Sequence, residues 1–295
     1  MFDNQIFIGV TSSNKNLFQE EFPNLKQIQL PSYNISYSNL LPISLKLLSD
    51  WPKINSVIRE ENSCLQAIIE ENKIDTIISD NRFGLRGKTT KNIFISHQLF
   101  LKTPVLLFLA QEINKRFILN FDEVWVPDYE DENLNLSGDL SHGKMFHQNL
   151  KYIGPLSRLN KAQSTPIEYD YLVLLSGPEP QHSLLGEKLL QFANRTSSKK
   201  FAFASHLFKV LSHQNVDGYF QSNNHTISQL IQKSKTIICR SGYSTLMDMH
   251  HLEKKNLILI PTKGQTEQEY LADYWQEKFK TKLVQEQQIN KSLFD

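Results

Sequence analysis

The chain has 295 residues, with 32 basic and 31 acidic side chains and a formal net charge of +1, so no global field draws in nucleic acid, and no basic run with interleaved aromatics offers a local one. No window reaches the ~18 uninterrupted apolar residues of a membrane-spanning helix, and residues 1–10 lack the basic head and apolar stretch of an export signal. The two cysteines, Cys64 in a helical pattern and Cys239 in a strand pattern, form no disulfide framework and read as buried thiols, which suits a reducing cytosol.

A length of this order accommodates two domains and buries roughly 75% of the extended surface. Residues 5–10 (QIFIGV) read as a short buried strand, followed by a helix over 14–21 and a strand over 26–30. Residues 40–71 carry helical spacing at Leu45, Leu48, Ile54, Ile58, Leu65, Ile68 and Ile69, interrupted at Pro42 and Pro52, which predicts two helices. A strand over 76–79 ends in Asp80-Asn81-Arg82 and a strand over 92–96 ends in His97-Gln98. Both put polar side chains at strand C-termini, where open α/β sheets bind ligands. A helix over 105–121 leads to a strand over 123–126, and the acidic residues 128–132, with Gly138 and Gly143 beyond them, read as a solvated loop.

Residues 160–168 are polar and carry Pro166, the composition of a linker. The chain therefore reads as an N-terminal domain over 1–156, a linker over 157–168 and a C-terminal domain over 169–295. In the last of these, strands over 171–175, 200–204, 236–239 and 256–260 alternate with helices over 182–194 and 226–233, a helical segment after Gly242, and a helix over 267–277. Such alternation predicts an α/β fold of two Rossmann-like domains, with parallel sheets facing each other across a cleft.

Residues 236–248 (TIICRSGYSTLMD) carry the strongest ligand signal. Strand-forming residues run into a Ser-Gly turn and then a helix-compatible segment, which delivers unpaired backbone N–H groups at a helix start. A helix N-terminus carries roughly +0.5 of an elementary charge, Gly242 lets an anion approach the backbone, Ser241, Ser244 and Thr245 add donors, and Arg240 adds a positive charge. Ser-Gly alone equally describes an ordinary serine-capped turn. Context favours the anion site, because three loops fall at strand C-termini that one sheet edge gathers: residues 176–181, opening with Ser176 and Gly177, residues 240–244, and residues 262–268. Together they suit a nucleoside diphosphate, with Asp248 placed to accept hydrogen bonds from ribose hydroxyls and Glu267 and Gln268 to grip a sugar.

No Asp-x-Asp metal motif occurs, and the adjacent His250 and His251 project in different directions on a helix, so the expected site is metal-free, with the helix dipole and Arg240 stabilising a leaving phosphate. His97 and Asp80 are the candidate general bases for an acceptor hydroxyl, although a lone histidine at a strand end commonly serves structure. Residues 99–121 combine Leu99, Phe100, Leu101, Phe117 and Ile118 with Lys102, Lys115 and Arg116. They read mainly as core packing, with an interfacial patch for a lipid-linked acceptor as the alternative.

Cys239-Arg240-Ser241-Gly242-Tyr243-Ser244-Thr245, followed by Leu257-Ile258-Leu259-Ile260-Pro261 and Gln265-Thr266-Glu267-Gln268-Glu269-Tyr270-Leu271-Ala272, resembles the C-terminal donor domain of GT-B glycosyltransferases. The branch it is most similar to is the family-28-like one, which includes the lipid-linked peptidoglycan N-acetylglucosaminyltransferase. Tyr152-Ile153-Gly154-Pro155-Leu156 looks like the interdomain entry of that fold, and Ser79-Asp80-Asn81-Arg82-Phe83-Gly84 with Ser96-His97-Gln98 is similar to acceptor-domain segments.

The resemblance implies that Arg240 to Thr245, Tyr243 among them, bind the donor diphosphate. It implies that Asp248 stands where the family has a ribose-binding glutamate, and that Glu267-Gln268, close to Gln265, matches an acidic-Gln pair on the donor sugar. The chain departs from the family at its start. Members open with a strand, a Gly-rich turn and a helix, whereas here the first strand runs into Thr11-Ser12-Ser13-Asn14 and resembles the family's second strand. A βα unit of about thirty residues, holding a central strand, is then expected to be missing, and the C-terminus to stop short of the helix that returns to the first domain.

The expected function is inverting, metal-independent transfer of a hexosyl or N-acetylhexosaminyl group from a UDP-sugar to an acceptor hydroxyl, lipid-linked or glycan. No cofactor is expected beyond that donor, and the expected place is the cytoplasm, with peripheral contact at the inner face of the cell membrane. The alternatives are a non-catalytic or partner-dependent nucleotide-sugar-binding module and a UDP-sugar 2-epimerase.

Overall fold

The computed structural model describes residues 4–12, 14–31, 51–102, 107–144, 146–161, 165–177, 179–205, 212–220 and 222–289. The residues divide into two compact units: one of Met1–Ser96, Pro104–Trp125 and Phe146–Lys151, the other of His97–Thr103, Val126–Met145 and Tyr152–Asp295. Segments 97–103 and 126–145 thus belong with the second unit, although they lie early in the sequence. Residues 40–50 of the stretch expected to form two helices over 40–71, and the first two residues of the helix expected at 105–121, lie outside the described residues.

In the first unit, β1 (Phe7–Val10), α1 (Lys15–Glu21) and β2 (Lys26–Gln29) form a parallel βαβ pair with Phe7 opposite Lys26. Next come α2 (Trp51–Asn72), β3 (Thr76–Asp80), β4 (Lys91–Ile95), α3 (Leu107–Ile118), β5 (Glu123–Val126) and β6 (Leu150–Tyr152). The last four strands make one sheet in the order β3-β4-β5-β6. Pro52 falls in the first described turn of α2, where a helix tolerates a missing N–H. Ile58, Leu65 and Ile69 of α2 are buried at helical spacing, and the last two pack with Leu30, Ile77 and Leu85. Cys64 is exposed rather than buried, because it stands on the wet side of α2, one residue before Leu65. Glu61, fully buried on the same helix, meets the Arg82 guanidinium at 2.5 Å, and Arg82 also donates to the Pro31 carbonyl, which fixes the loop after β3.

The second unit contains β7 (Tyr169–Leu174), α4 (Gln181–Asn194), β8 (Phe201–Ala204), β9 (Ser212–His213), β10 (Val216–Tyr219), α5 (Asn224–Lys233), β11 (Ser234–Cys239), α6 (Tyr243–His251), β12 (Leu257–Leu259), α7 (Thr266–Phe279) and β13 (Lys282–Leu283). The sheet order is β13-β12-β11-β7-β8-β10-β9, with parallel pairing throughout except β9 against β10. Strand alternation sends Leu172, Ala202, Ala204, Ile237, Cys239, Leu257 and Leu259 to one face, where α5, α6 and α7 cover them. Val173, Phe201, Phe203, Ile238 and Ile258 go to the other face, against Leu185, Leu189 and Phe192 of α4. A sheet buried on both sides explains why β8 reads as the unbroken apolar run FAFA. Sequence reading passes over β10, whose VDGY carries a glycine and an aspartate that strands disfavour; pairing with β8 overrides that local preference.

Asp128 departs from the reading of 128–132 as a wet acidic loop. It is fully buried, and its carboxylate accepts from the backbone N–H groups of Tyr129, Leu136 and Ser137 at 2.8, 2.8 and 2.9 Å and from the Ser137 hydroxyl at 2.6 Å. A buried carboxylate is tolerable when donors surround it, and here it shapes the loop that delivers Leu136 and Leu140 to the core. Glu130, Asp131 and Glu132 are exposed as expected.

Candidate active site

Strands β12, β11 and β7 are neighbours and parallel, so the turns after them lie on one edge of the second unit's sheet. Each turn holds a glycine with open space where a side chain would be: Gly177 (φ +109°), Gly242 and Gly264 (φ +84°). Gly242 caps α6 with no side-chain cap bond, and the first helical bond runs from Leu246 N to Gly242 O. The N–H groups at the start of this nine-residue helix therefore face a turn with room for a ligand, the arrangement that binds anions at helix N-termini. Ser244 is exposed and Thr245 partly exposed beside it.

Arg240 is not turned to that space. It is 3% exposed, and its guanidinium donates to the carbonyls of Ile260 (3.1 Å), Pro261 (3.2 Å) and Gln181 (3.1 Å) and pairs with Glu286 at 3.2 Å. Burial lowers its affinity for a proton, and the Glu286 charge works in the opposite direction. Sequence reading assigns this charge to the diphosphate; the two terminal nitrogens of the planar guanidinium instead fasten the ends of β11 and β12 to the start of α4. Ser241, fully buried, donates its hydroxyl to the Gln268 carbonyl at 2.7 Å. Gln268 accepts from Thr262 N at 3.0 Å and donates to the Gln265 side chain at 2.5 Å. These polar side chains hold the turns around the glycines in place.

Tyr243 is also committed: it is 2% exposed, and its hydroxyl donates to the Pro127 carbonyl at 2.9 Å. Its ring carries His97, stacked at 4.1 Å between centroids with an interplanar angle of 16°. His97 Nε2 donates to Glu267 Oε1 at 2.9 Å, since a carboxylate can only accept. Both side chains are partly exposed, at 21% and 31%. His97 thus belongs to the second unit, while Asp80, the other candidate base, stands exposed at the end of β3 in the first. Asp248 accepts from the Ser157 hydroxyl at 2.6 Å; burial raises its carboxyl above the ordinary range despite that bond. Ser176, beside Gly177, follows β7 on the same sheet edge and is exposed.

Sequence reading finds the loops and misses the pairings. His97 and Glu267 are 170 positions apart, and no periodicity links them. Arg240 and Glu286 are 46 apart, in a three-residue turn that carries no motif.

Residues 181–295 match the profile of the glycosyltransferase family 28 C-terminal domain. No curated protein sequence matches the chain. Among solved structures, the chain is similar to the spinosyn rhamnosyltransferase SpnG complexed with thymidine diphosphate (8% identity, TM-score 0.62, covering 97% of this chain and 82% of that one). It is similar to Arabidopsis thaliana UGT89C1 complexed with UDP-L-rhamnose (12%, 0.60, 95% and 78%) and to Acinetobacter baumannii MurG (10%, 0.51, 96% and 78%). The chain has the GT-B fold of these structures, and its residues 181–295 match the glycosyltransferase family 28 C-terminal domain.

Proposed function

We propose that this protein transfers a hexosyl or N-acetylhexosaminyl group from a UDP-sugar to an acceptor hydroxyl, with inversion at the anomeric carbon and without a metal. The family 28 domain and the glycosyltransferase neighbours support glycosyl transfer in general. The observation that carries the finer reading is the N-terminus of α6, open at Gly242 between the open turns at Gly177 and Gly264. Donors and a dipole fixed before the reaction stabilise charge where it develops, here on the leaving diphosphate. UDP-L-rhamnose and thymidine diphosphate in two neighbours support a pyrimidine nucleoside diphosphate as the ligand class.

In the proposed reaction the acceptor oxygen bonds to the anomeric carbon, the bond from that carbon to the β-phosphate oxygen breaks with its electron pair, and the hydroxyl proton passes to a base. His97 is the base in this reading, through Nδ1, because Nε2 carries the proton held by Glu267; Asp80 is the second candidate. Ser176, Ser244 and Thr245 are proposed diphosphate or sugar contacts, and Asp248 a ribose contact. The same reading puts the protein in the cytoplasm. Phe108, Leu109 and Leu119, exposed at 78%, 50% and 48% near Lys115 and Arg116 of α3, support peripheral contact with an anionic membrane face. Leu99 and Ile118 of the same sequence stretch are fully buried, as core packing requires.

The test is calorimetric titration of the chain with UDP, dTDP, ADP and GDP, repeated on Gly242→Ala. Gly242 has φ −70° and ψ 138°, which alanine adopts freely, so the variant should keep its stability within about 0.5 kcal/mol. The added methyl should lower UDP affinity tenfold or more by filling the approach to the helix. Unchanged affinity in a folded variant refutes the site. UDP-sugar incubated with the enzyme alone should not yield its 2-epimer; epimer formation would replace transfer as the reaction.

A further inference from the structure

We propose that Glu267 is a positioning residue for His97 rather than a contact to the donor sugar, a role that rests on the donor site described above. Two fixed surfaces hold the imidazole. Beneath it lies the Tyr243 ring, itself immobilised by burial and by the Pro127 carbonyl. At its Nε2 stands the Glu267 carboxylate, on the first turn of α7. That turn cannot drift, because the Gln268 carbonyl takes the Ser241 hydroxyl and the Gln268 side chain takes Thr262 N. The chain leading away from His97 is anchored too: Leu99 N and Phe100 N both donate to the Leu140 carbonyl, at 2.8 and 2.9 Å.

Three consequences follow from the chemistry. The carboxylate accepts only, so Nε2 carries the hydrogen and the neutral ring presents its lone pair at Nδ1. A charge-assisted bond is roughly twice as strong as a neutral one, so the Glu267 oxygen bound to imidazole is not readily given up to a sugar hydroxyl. Tyr243 is also the first residue of α6, so the residue that carries the imidazole also opens the helix whose N–H groups await the diphosphate. Proton acceptor and leaving-group site are thereby held by one rigid framework within one unit, the condition for a reactive geometry that does not have to be reassembled at each turnover.

The experiment compares Glu267→Met, Glu267→Gln and His97→Gln in the full chain by three readouts. Proton–nitrogen NMR of the histidine rings should show His97 as the Nε2–H tautomer in the unaltered chain, lost in Glu267→Met and partly restored in Glu267→Gln, whose amide oxygen still accepts. Titration with UDP and with UDP-glucose should give affinities for both within about twofold of the unaltered chain. UDP release from UDP-glucose, with water as acceptor, should fall about a hundredfold in His97→Gln and at least tenfold in Glu267→Met, with the double variant no slower than His97→Gln alone. A loss of affinity for UDP-glucose but not for UDP in Glu267→Met makes Glu267 a sugar contact and overturns the proposal. Additive losses in the double variant, or an Nε2–H signal indifferent to Glu267, overturn it as well. Failure of the unaltered chain to bind UDP refutes the donor site instead, and the tautomer measurement then decides the His97–Glu267 pairing independently.

Discussion

Replacing Arg240 with alanine separates a structural role from a ligand-binding one. The guanidinium satisfies three carbonyls, those of Ile260, Pro261 and Gln181, and one oxygen of Glu286. Each buried acceptor stripped of its donor costs about 1 kcal/mol, and Glu286 keeps Lys188 at 2.7 Å, so its share is of the same order. The total is about 4 kcal/mol, in the range of roughly 3–5 kcal/mol for breaking a buried pair. At about 2–4 °C per kcal/mol for a unit of this size, the unfolding midpoint should fall by roughly 10 °C in a thermal scan. Arg240→Lys should lose part of this, because one ammonium cannot reach three directions at once. The pH dependence has a definite sign. Burial alone raises the Glu286 carboxyl, but Lys188 and Arg240 outweigh it and the net shift is downward from 4.5. The pair's contribution is therefore complete above that value and lost as pH falls through the depressed one, and Arg240→Ala should flatten this acid limb. An Arg240→Ala chain that loses UDP affinity with an unchanged midpoint would return the charge to the diphosphate and refute the structural role.

Other consequences can be checked separately. Because burial raises the Asp248 carboxyl, its ionised form costs stability at neutral pH, a cost relieved as pH falls through the raised value; Asp248→Asn should raise the unfolding midpoint while weakening UDP binding severalfold, and a lower midpoint would contradict this. Glu123 is held at about 2 by hydrogen bonds from Lys91, then Lys151 and Trp125, so carbon NMR should find its carboxyl still ionised at pH 3, and Lys91→Ala should raise the value. Phe108→Ser with Leu109→Ser should reduce sedimentation of the chain with phosphatidylglycerol vesicles about tenfold and leave phosphatidylcholine controls alone, whereas equal binding by both chains would remove the membrane contact.

The parts legible in the sequence are those written locally. The β11 turn into α6 is announced by four strand formers, a Ser-Gly and a helical segment, and the strand–helix alternation of the second unit is announced by the short, largely apolar runs of β7, β8 and β11, as a sheet covered on both faces requires. The misread parts share a cause. Asp128 stands in an acidic run, and nothing in residues 128–132 says that one of these carboxylates is wrapped by five donors while its neighbours stay wet. Cys64 adjoins Leu65 on a helix, where one step of 100° decides between core and water. β10 forms despite its sequence because β8 offers it a ladder.

Arg240, Ser241 and Tyr243 pose a subtler case, since the sequence locates them at the donor loop and the structure keeps them there while turning each side chain to another task. The reason is geometric. A backbone that must approach a diphosphate closely needs glycine at the contact, and three glycine turns at one sheet edge have little side chain of their own to hold their shape. Neighbouring polar residues must supply that rigidity, which is what the Arg240 fork, the Ser241–Gln268 bond and the Tyr243–Pro127 bond do. A motif of this kind therefore marks residues of two sorts, those whose backbone meets the ligand and those whose side chains hold that backbone, and type alone does not distinguish them. Burial does: Gly242, Ser244 and Thr245 are open to solvent to some degree, whereas Arg240, Ser241 and Tyr243 are at most 3% exposed. Substitutions in the first group should change affinity before stability, and those in the second should change stability before affinity.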